Sequence, residues 1–118
     1  MAKDLNVESI EVKVDVKELA TLIGDVCSSS YGVLGLASPA KSTNPFDILL
    51  KKDKYIEGIL IKKERNKYVV DVHVVVAYGV KITEVVNELG KRLSYNLNKK
   101  YGKVFGKINI YVEELRDF

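Results

Sequence analysis

Two kinds of hydrophobic periodicity divide the 118-residue chain into strands and helices. Apolar and charged residues alternate over residues 10–14, which predicts a short strand with one buried face. Asp15 follows as a capping residue, three positions before Glu18, and begins a predicted helix that ends near Gly32. The apolar stripe of this helix repeats every three or four residues and comprises Val16, Leu19, Ala20, Ile23, Val26, Cys27 and Ser30.

Glycines enclose the next apolar segment, residues 32–36. Its letters match the G-x-x-G loop with which KH domains hold a nucleic-acid backbone. The middle residues, Val33 and Leu34, are apolar where a phosphate clamp would gain from Lys or Arg, so a short buried strand is the favoured interpretation. A loop over residues 38–45 follows, and Pro45 favours a helical turn immediately after it.

Two further apolar runs, residues 56–63 and 67–77, flank a polar turn around Arg65 and predict a β-hairpin. This turn sets Ile61 opposite Val70. One face of the hairpin then carries the aliphatic residues Ile59, Ile61, Val70, Val72, Val74 and Val76. The other face is mixed and carries Leu60, Val69, Asp71, His73, Val75 and Ala77.

A long helix is predicted over residues 80–100, with Gly102 as its C-cap. Its stripe comprises Ile82, Val85, Val86, Leu89, Leu93 and Leu97. A last strand is predicted over residues 107–114, with Ile108, Ile110 and Val112 pointing inward. This order of elements predicts an α+β two-layer sandwich: a mixed or antiparallel sheet of about five strands with two long helices on one face.

Composition narrows the class of protein. Hydrophobic residues make up 47% and charged residues 30% of the chain, as expected for a globular chain, and the length suits a single domain over residues 1–118. One Cys and one His are too few for a disulfide or a structural zinc site, so we expect an intracellular protein without cofactors. No secretory signal or membrane-spanning stretch is found, which favours the cytoplasm.

Charge is unevenly distributed. Residues 1–47 hold 4 basic and 7 acidic residues, whereas the remainder holds 15 basic and 9 acidic residues. A nucleic-acid-binding module using the hairpin tip and second helix is therefore a rival hypothesis. Its basic edge would comprise Lys51, Lys52, Lys54, Lys62, Lys63 and Arg65, near Tyr55 and Tyr68. An acid at Asp71 would repel phosphate, and no aromatic strand motif for base stacking is found, so this hypothesis ranks second.

Two further alternatives are a catalytic site at Asp71 and His73 and a lipid-binding helix. Asp71 and His73 lie on one face of a predicted strand about 7 Å apart, where a carboxylate can orient an imidazole. No Ser or Cys is placed to complete a triad, so a structural or partner-covered polar pair is favoured. The helix over residues 80–100 resembles an interfacial membrane helix, but a domain this small needs that stripe for its core.

Four segments in order resemble the alkaline shock protein family. They are Gly32-Val33-Leu34-Gly35-Leu36, Gly58-Ile59-Leu60-Ile61, the valine-rich run from Val70 to Tyr78-Gly79, and Ile108-Asn109-Ile110-Tyr111-Val112. The resemblance covers roughly residues 8–115, and the lack of a long charged tail indicates a short member. Residues 102–106 are more glycine-rich than the family's usual loop.

The resemblance implies a non-catalytic bacterial envelope-stress protein that self-associates and works near the cytoplasmic membrane through a membrane-anchored partner. It carries over no catalytic residues, and no small-molecule substrate is expected. We expect another copy or a partner to cover the mixed sheet face, because apolar residues alternate onto both faces while the helices cover one. The candidate interaction surface comprises Leu60, Val69, Asp71, His73, Val75 and Tyr111.

Overall fold

The computed structural model describes residues 14–38 and 49–117. Residues 10–13 of the first predicted strand, and most of the helical turn predicted after Pro45, lie outside these ranges. The elements are helix α1 (Val16–Ser28), strand β1 (Val33–Leu36), a 3₁₀ helix (Lys52–Gly58), strands β2 (Ile59–Glu64) and β3 (Lys67–Ala77), helix α2 (Ile82–Tyr101) and strand β4 (Phe105–Arg116). The predicted α+β class is confirmed, with the helices packed against the sheet.

Strand β3 lies at the centre of a mixed, four-stranded sheet. Strand β2 pairs antiparallel with its first half and β1 pairs antiparallel with its second half. Strand β4 runs parallel to β3 along nearly its whole length. Because a strand has only two edges, β1 and β2 share one edge of β3, and β4 occupies the other.

The predicted hairpin register is confirmed, since Ile61 lies opposite Val70 and Ile59 opposite Val72. Arg65 adopts a left-handed φ of 56° in the turn. The strand was predicted to begin at residue 56, and this was wrong by three residues. Residues 52–58 form the 3₁₀ helix instead, which lays the ring of Tyr55 against Gly24 of α1.

The core lies between the helices and one face of the sheet, called here the inner face. Asp15 caps α1 as predicted, because its carboxylate accepts from the backbone N–H groups of Lys17 and Glu18 at 3.0 and 3.4 Å. Val16 and Ile82 were predicted as core residues but are exposed. Each is the first residue of its helix, and helical side chains point toward the N-terminus, so each projects past the packed layer. The buried stripes and inner-face residues comprise Leu19, Ala20, Ile23, Val26, Cys27, Val70, Val72, Val74, Val76, Val85, Leu89, Leu93 and Leu97.

Arg92 of α2 ties the two helices together. Its Nη1 donates to Ser30 Oγ at 2.5 Å and to the Val26 carbonyl at 3.4 Å, and its Nη2 donates to Ser29 Oγ at 3.2 Å. A guanidinium at this position neutralises the negative C-terminal end of α1. The crossing of α1 and α2 is therefore fixed by a polar contact as well as by the core.

The two helical glycines form a matched pair for testing the packing of α1. A Cβ added at Gly24 would lie 2.1–2.7 Å from three ring atoms of Tyr55, whereas one at Gly90 would meet only Ile110 Cδ1, at 3.8 Å. We expect Gly90→Ala to stabilise the protein by about 0.5–1 kcal/mol through helix propensity. Gly24→Ala should destabilise it by about 1–3 kcal/mol, because overpacking outweighs that gain.

Urea unfolding monitored by circular dichroism measures both changes. A Gly24→Ala protein as stable as Gly90→Ala would contradict the placement of Tyr55.

Candidate functional site: a polar cluster on the outer sheet face

The face of the sheet opposite the helices, called here the outer face, carries a cluster of polar side chains from three strands. Strand alternation and register bring them together, because Asp71 lies between Leu60 of β2 and Asn109 of β4, and His73 lies opposite Tyr111. The outer-face cluster comprises Lys62, Asp71, His73, Asn109, Tyr111 and Glu113.

Asp71 is the charged centre of the cluster and is only 5% exposed. Asn109 Nδ2 donates to its Oδ1 at 2.9 Å, and Lys62 Nζ lies 3.2 Å from its Oδ2. Burial alone would raise the pKa of this carboxyl, but the hydrogen bonds from Asn109 and Lys62 and the charge of Lys62 outweigh it, so the pKa lies below the usual 3.8. Asp71 is therefore ionised at neutral pH, with both oxygens engaged.

His73 is held from two directions. Its Nδ1 lies 2.6 Å from Glu113 Oε2, and its ring stacks on that of Tyr111 with centroids 5.0 Å apart and planes 17° from parallel. The carboxylate fixes the orientation of the imidazole, as predicted for a carboxylate near it, but the partner is Glu113 and not Asp71.

The predicted interaction surface is divided by the structure. Leu60 and Tyr111 are 54% and 45% exposed, and His73 is partly exposed. Val69 and Val75 are buried. Val75 is the register partner of Gly35, over which the Leu49 side chain lies, so the chain itself covers this end of the outer face. The exposed part centres on Leu60 and Tyr111.

Three members of the cluster were not predicted to lie on this surface, since Lys62 was assigned to the basic edge and Asn109 and Glu113 were given no role. Lys62 could have been found, because the hairpin register places it opposite Val69 and therefore diagonal to Asp71. Asn109 and Glu113 could not, since their contacts depend on β4 running parallel to β3 in one register. No local sequence signal identifies two strands as neighbours in a sheet when they lie more than 30 residues apart in the sequence.

Outside the cluster, the described residues offer little reactive chemistry. No group of three or more potential metal ligands occurs among residues 14–38 and 49–117. Cys27 is fully buried on the inner side, and burial raises the pKa of its thiol to about 12, although the charge of Arg92 opposes this. A protonated, buried thiol is a poor nucleophile.

A groove of about 440 Å³ lies between the C-terminal end of α1 and the N-terminal part of α2. Its charged lining residues are Lys81, Glu84, Glu88 and Arg92. Lys81 pairs with Glu84 at 3.7 Å, and Arg92 is engaged by the end of α1. The lining therefore carries no net charge, with two basic and two acidic groups.

The predicted basic edge is partly neutralised within the chain. Lys62 pairs with Asp71, and Lys52 lies 3.7 Å from Asp25. The ring of Tyr68 packs against Phe105 with centroids 5.8 Å apart. Two of the predicted phosphate-binding cations and one stacking aromatic thus have partners in the fold.

The geometry defines a small α+β protein whose outer sheet face carries a fixed polar cluster bordered by exposed apolar side chains. Residues 3–116 match the model of the alkaline shock protein 23 family, which has a cell envelope-related function. The chain belongs to this family.

Two relatives show how far the similarity extends. A protein of Streptococcus pyogenes serotype M6, described as uncharacterized protein Spy1614, is 35% identical over 107 residues, which cover 91% of this chain and 87% of the relative. Uncharacterized protein YloU of Bacillus subtilis strain 168 is 25% identical over 116 residues, or 98% and 97% of the two chains. No solved structure matches. Within the described ranges, none of the helices has the length and apolarity needed to cross a bilayer.

The depressed pKa of Asp71 predicts a pH-dependent contribution to stability. A group whose pKa is lower in the folded state stabilises the fold above its unfolded value, and this is lost as the pH falls through the folded value. We expect Asp71→Asn to cost about 1–3 kcal/mol at pH 7. The difference from the wild type should shrink as the pH falls below about 4.

Urea unfolding between pH 7 and pH 3 tests this, with Glu57→Gln, an exposed acid outside the cluster, as the matched control. A difference between wild type and Asp71→Asn that stays constant with pH would contradict the ionised, paired state of Asp71.

Proposed function

We propose that this chain is a non-catalytic, self-associating cytoplasmic protein that acts in envelope homeostasis or stress through protein–protein contacts near the membrane. The envelope-related role follows from the family. The observation that supports the remainder is the outer sheet face, where Tyr111 of the outer-face cluster and the neighbouring Leu60 stand exposed while both helices pack on the inner face. Exposed apolar side chains around ordered polar groups are typical of protein-binding surfaces.

The geometry of the cluster favours recognition over catalysis. A general base needs an atom free to reach substrate, but both oxygens of Asp71 have partners in the chain, and the cluster contains no Ser or Cys that His73 could activate. Groups that are fixed before binding lose little conformational entropy when a partner arrives. Tyr111, stacked on His73 yet 45% exposed, has the amphipathic ring that anchors many interfaces.

Contact with the membrane is assigned to a membrane-anchored protein partner and not to lipid. The apolar stripe of α2 is buried in the core through Leu89, Leu93 and Leu97, so this helix cannot also lie in a lipid interface. Nucleic acid is the less favoured partner, because Lys52 and Lys62 are paired and Tyr68 packs on Phe105.

Self-association is tested by sedimentation equilibrium of the full chain over a concentration series. We expect the average mass to rise with concentration above that of a 13.2 kDa monomer, because apolar surface on the sheet becomes covered. A strict monomer at all concentrations would contradict this part of the proposal.

Partner binding is tested by fractionation of native cells. We expect Leu60→Glu to reduce the membrane-associated fraction several-fold, because it places a charge in the contact, whereas Ile56→Glu should leave it unchanged. Ile56 is a matched control, since it is also apolar and 45% exposed but belongs to the 3₁₀ helix. Purified protein that floats with liposomes in the absence of any partner would show that the contact is with lipid.

A further inference from the structure

Among residues 14–38 and 49–117, strand β4 has a pairing strand along one edge only. It spans 12 residues, and one of its edges pairs with β3. Within the described ranges no strand pairs with the opposite edge, called here the outer edge of β4. Irregular pairing occurs near Gly106 and Glu113, which leaves a regular stretch over residues 107–112. An unpaired stretch of this length offers backbone N–H and C=O groups to another strand.

The apolar side chains of β4 are only partly covered. Ile108, Ile110 and Val112 point to the inner face and pack against the core, yet each remains half-buried. The corresponding residues of the central strand, such as Val72 and Val74, are fully buried because they have a neighbouring strand on both sides. A strand added to the outer edge of β4 would cover the remaining apolar area.

The charges of β4 are self-complementary. On the outer face it carries Lys107 at one end and Glu113 at the other. Lys107 is exposed and has no ion-pair partner among the residues described. Glu113 gives one oxygen, Oε2, to His73. Two copies of such a strand attract each other when they run antiparallel, because each basic end then meets an acidic end.

Face alternation restricts the register of this pairing. Directly opposed residues of two antiparallel strands point to the same face of the joint sheet, so the apolar residues of the two copies meet only in every second register. With Ile110 opposite Ile110 of the second copy, Ile108 meets Val112, and Lys107 meets Glu113, the extra residue at the far end of the regular stretch. With Asn109 at the centre of the pairing, Lys107 lies opposite Tyr111, and with Tyr111 at the centre it lies opposite Leu115. Either register loses the two pairs between Lys107 and Glu113. The Ile110-centred register is therefore the one that the charges favour.

We propose that two copies of this chain join antiparallel through the outer edges of their β4 strands, with Ile110 on the two-fold axis. The four described strands of each copy then form one continuous sheet, with both helical layers on the same side. The inference rests on the self-association proposed above and specifies its surface. It leaves Leu60 and Tyr111 on a shared outer face for the other partner.

Charge reversal tests the register. Lys107→Glu places like charges opposite each other twice in the dimer, and we expect it to raise the dimer dissociation constant roughly tenfold in low salt. The double variant Lys107→Glu/Glu113→Lys should restore dimerisation. Lys54→Glu is the matched control, because Lys54 is an exposed lysine of the 3₁₀ helix, away from β4. Equal effects of Lys107→Glu and Lys54→Glu would overturn the proposal.

Cross-linking gives a second measurement that does not require Glu113→Lys to fold. Ile110→Cys should form a disulfide with its counterpart across the axis under mild oxidation, since directly opposed residues have Cβ atoms about 5 Å apart. Leu60→Cys should not cross-link, and the native Cys27 is fully buried. Cross-linking through Leu60→Cys but not through Ile110→Cys would overturn the edge pairing and leave self-association intact.

Hydrogen exchange measured on the peptide that spans β4 distinguishes two possible occupants of its outer edge, a second copy and the chain's own N-terminal segment. Protection that rises with protein concentration supports pairing with a second copy. Slow exchange that is independent of concentration, in a protein that sediments as a monomer, would show that the chain's own N-terminal segment fills this edge. In that case the edge pairing and the self-association of the proposed function both fail. A concentration-dependent dimer with no change in exchange along β4 overturns the edge pairing alone.

Discussion

The structure depends on one strand that is buried on both faces. Strand β3 has the helices against its inner face, and its outer face is covered so well that Val69 and Val75 are as inaccessible as the core residues. It also pairs along both edges, with three other strands. A strand buried in this way must be almost continuously apolar, because each polar group placed on it needs a partner from a neighbouring strand. Over residues 68–77, the valine-rich sequence of β3 meets this requirement at all but two positions.

Asp71 and His73 are those two positions, and their partners come from the strands on either side. Lys62 reaches Asp71 from β2, while Asn109 reaches Asp71 and Glu113 reaches His73 from β4. These contacts connect three strands with polar bonds on a face that neither α1 nor α2 covers. We therefore expect the charge on Asp71 to favour this choice of flanking strands and this register, a use of buried polar groups that differs from catalysis.

The edge of β4 that has no partner within the described ranges and the exposed part of the outer face suit different partners. The outer edge of β4 offers backbone groups and a self-complementary charge pattern, which suit a second copy of the same strand. The outer face offers Leu60 and Tyr111 around rigid polar groups, which suit a partner of different sequence. In the proposed dimer, one edge of the sheet would serve assembly and the outer face would serve partner binding.

Local features were predictable from the sequence where neighbours along the chain decide them. The capping by Asp15, the C-cap at Gly102 and the register of Ile61 with Val70 were all correct, because each depends on residues a few positions apart. The 3₁₀ helix was missed because it depends on the contact of Tyr55 with Gly24, which are distant in the sequence.

The α+β class, the two helical stripes, the hairpin and the two titratable groups on one face of its second strand all follow from local patterns in the chain. The parallel pairing of β4 with β3, the contact of Glu113 with His73 and the covering of Val75 by the chain itself depend on how the whole domain packs. The hydrophobic periodicity of a strand indicates which of its sides is buried. It does not indicate which strand lies beside it, because the pairing of strands depends on the packing of the whole sheet.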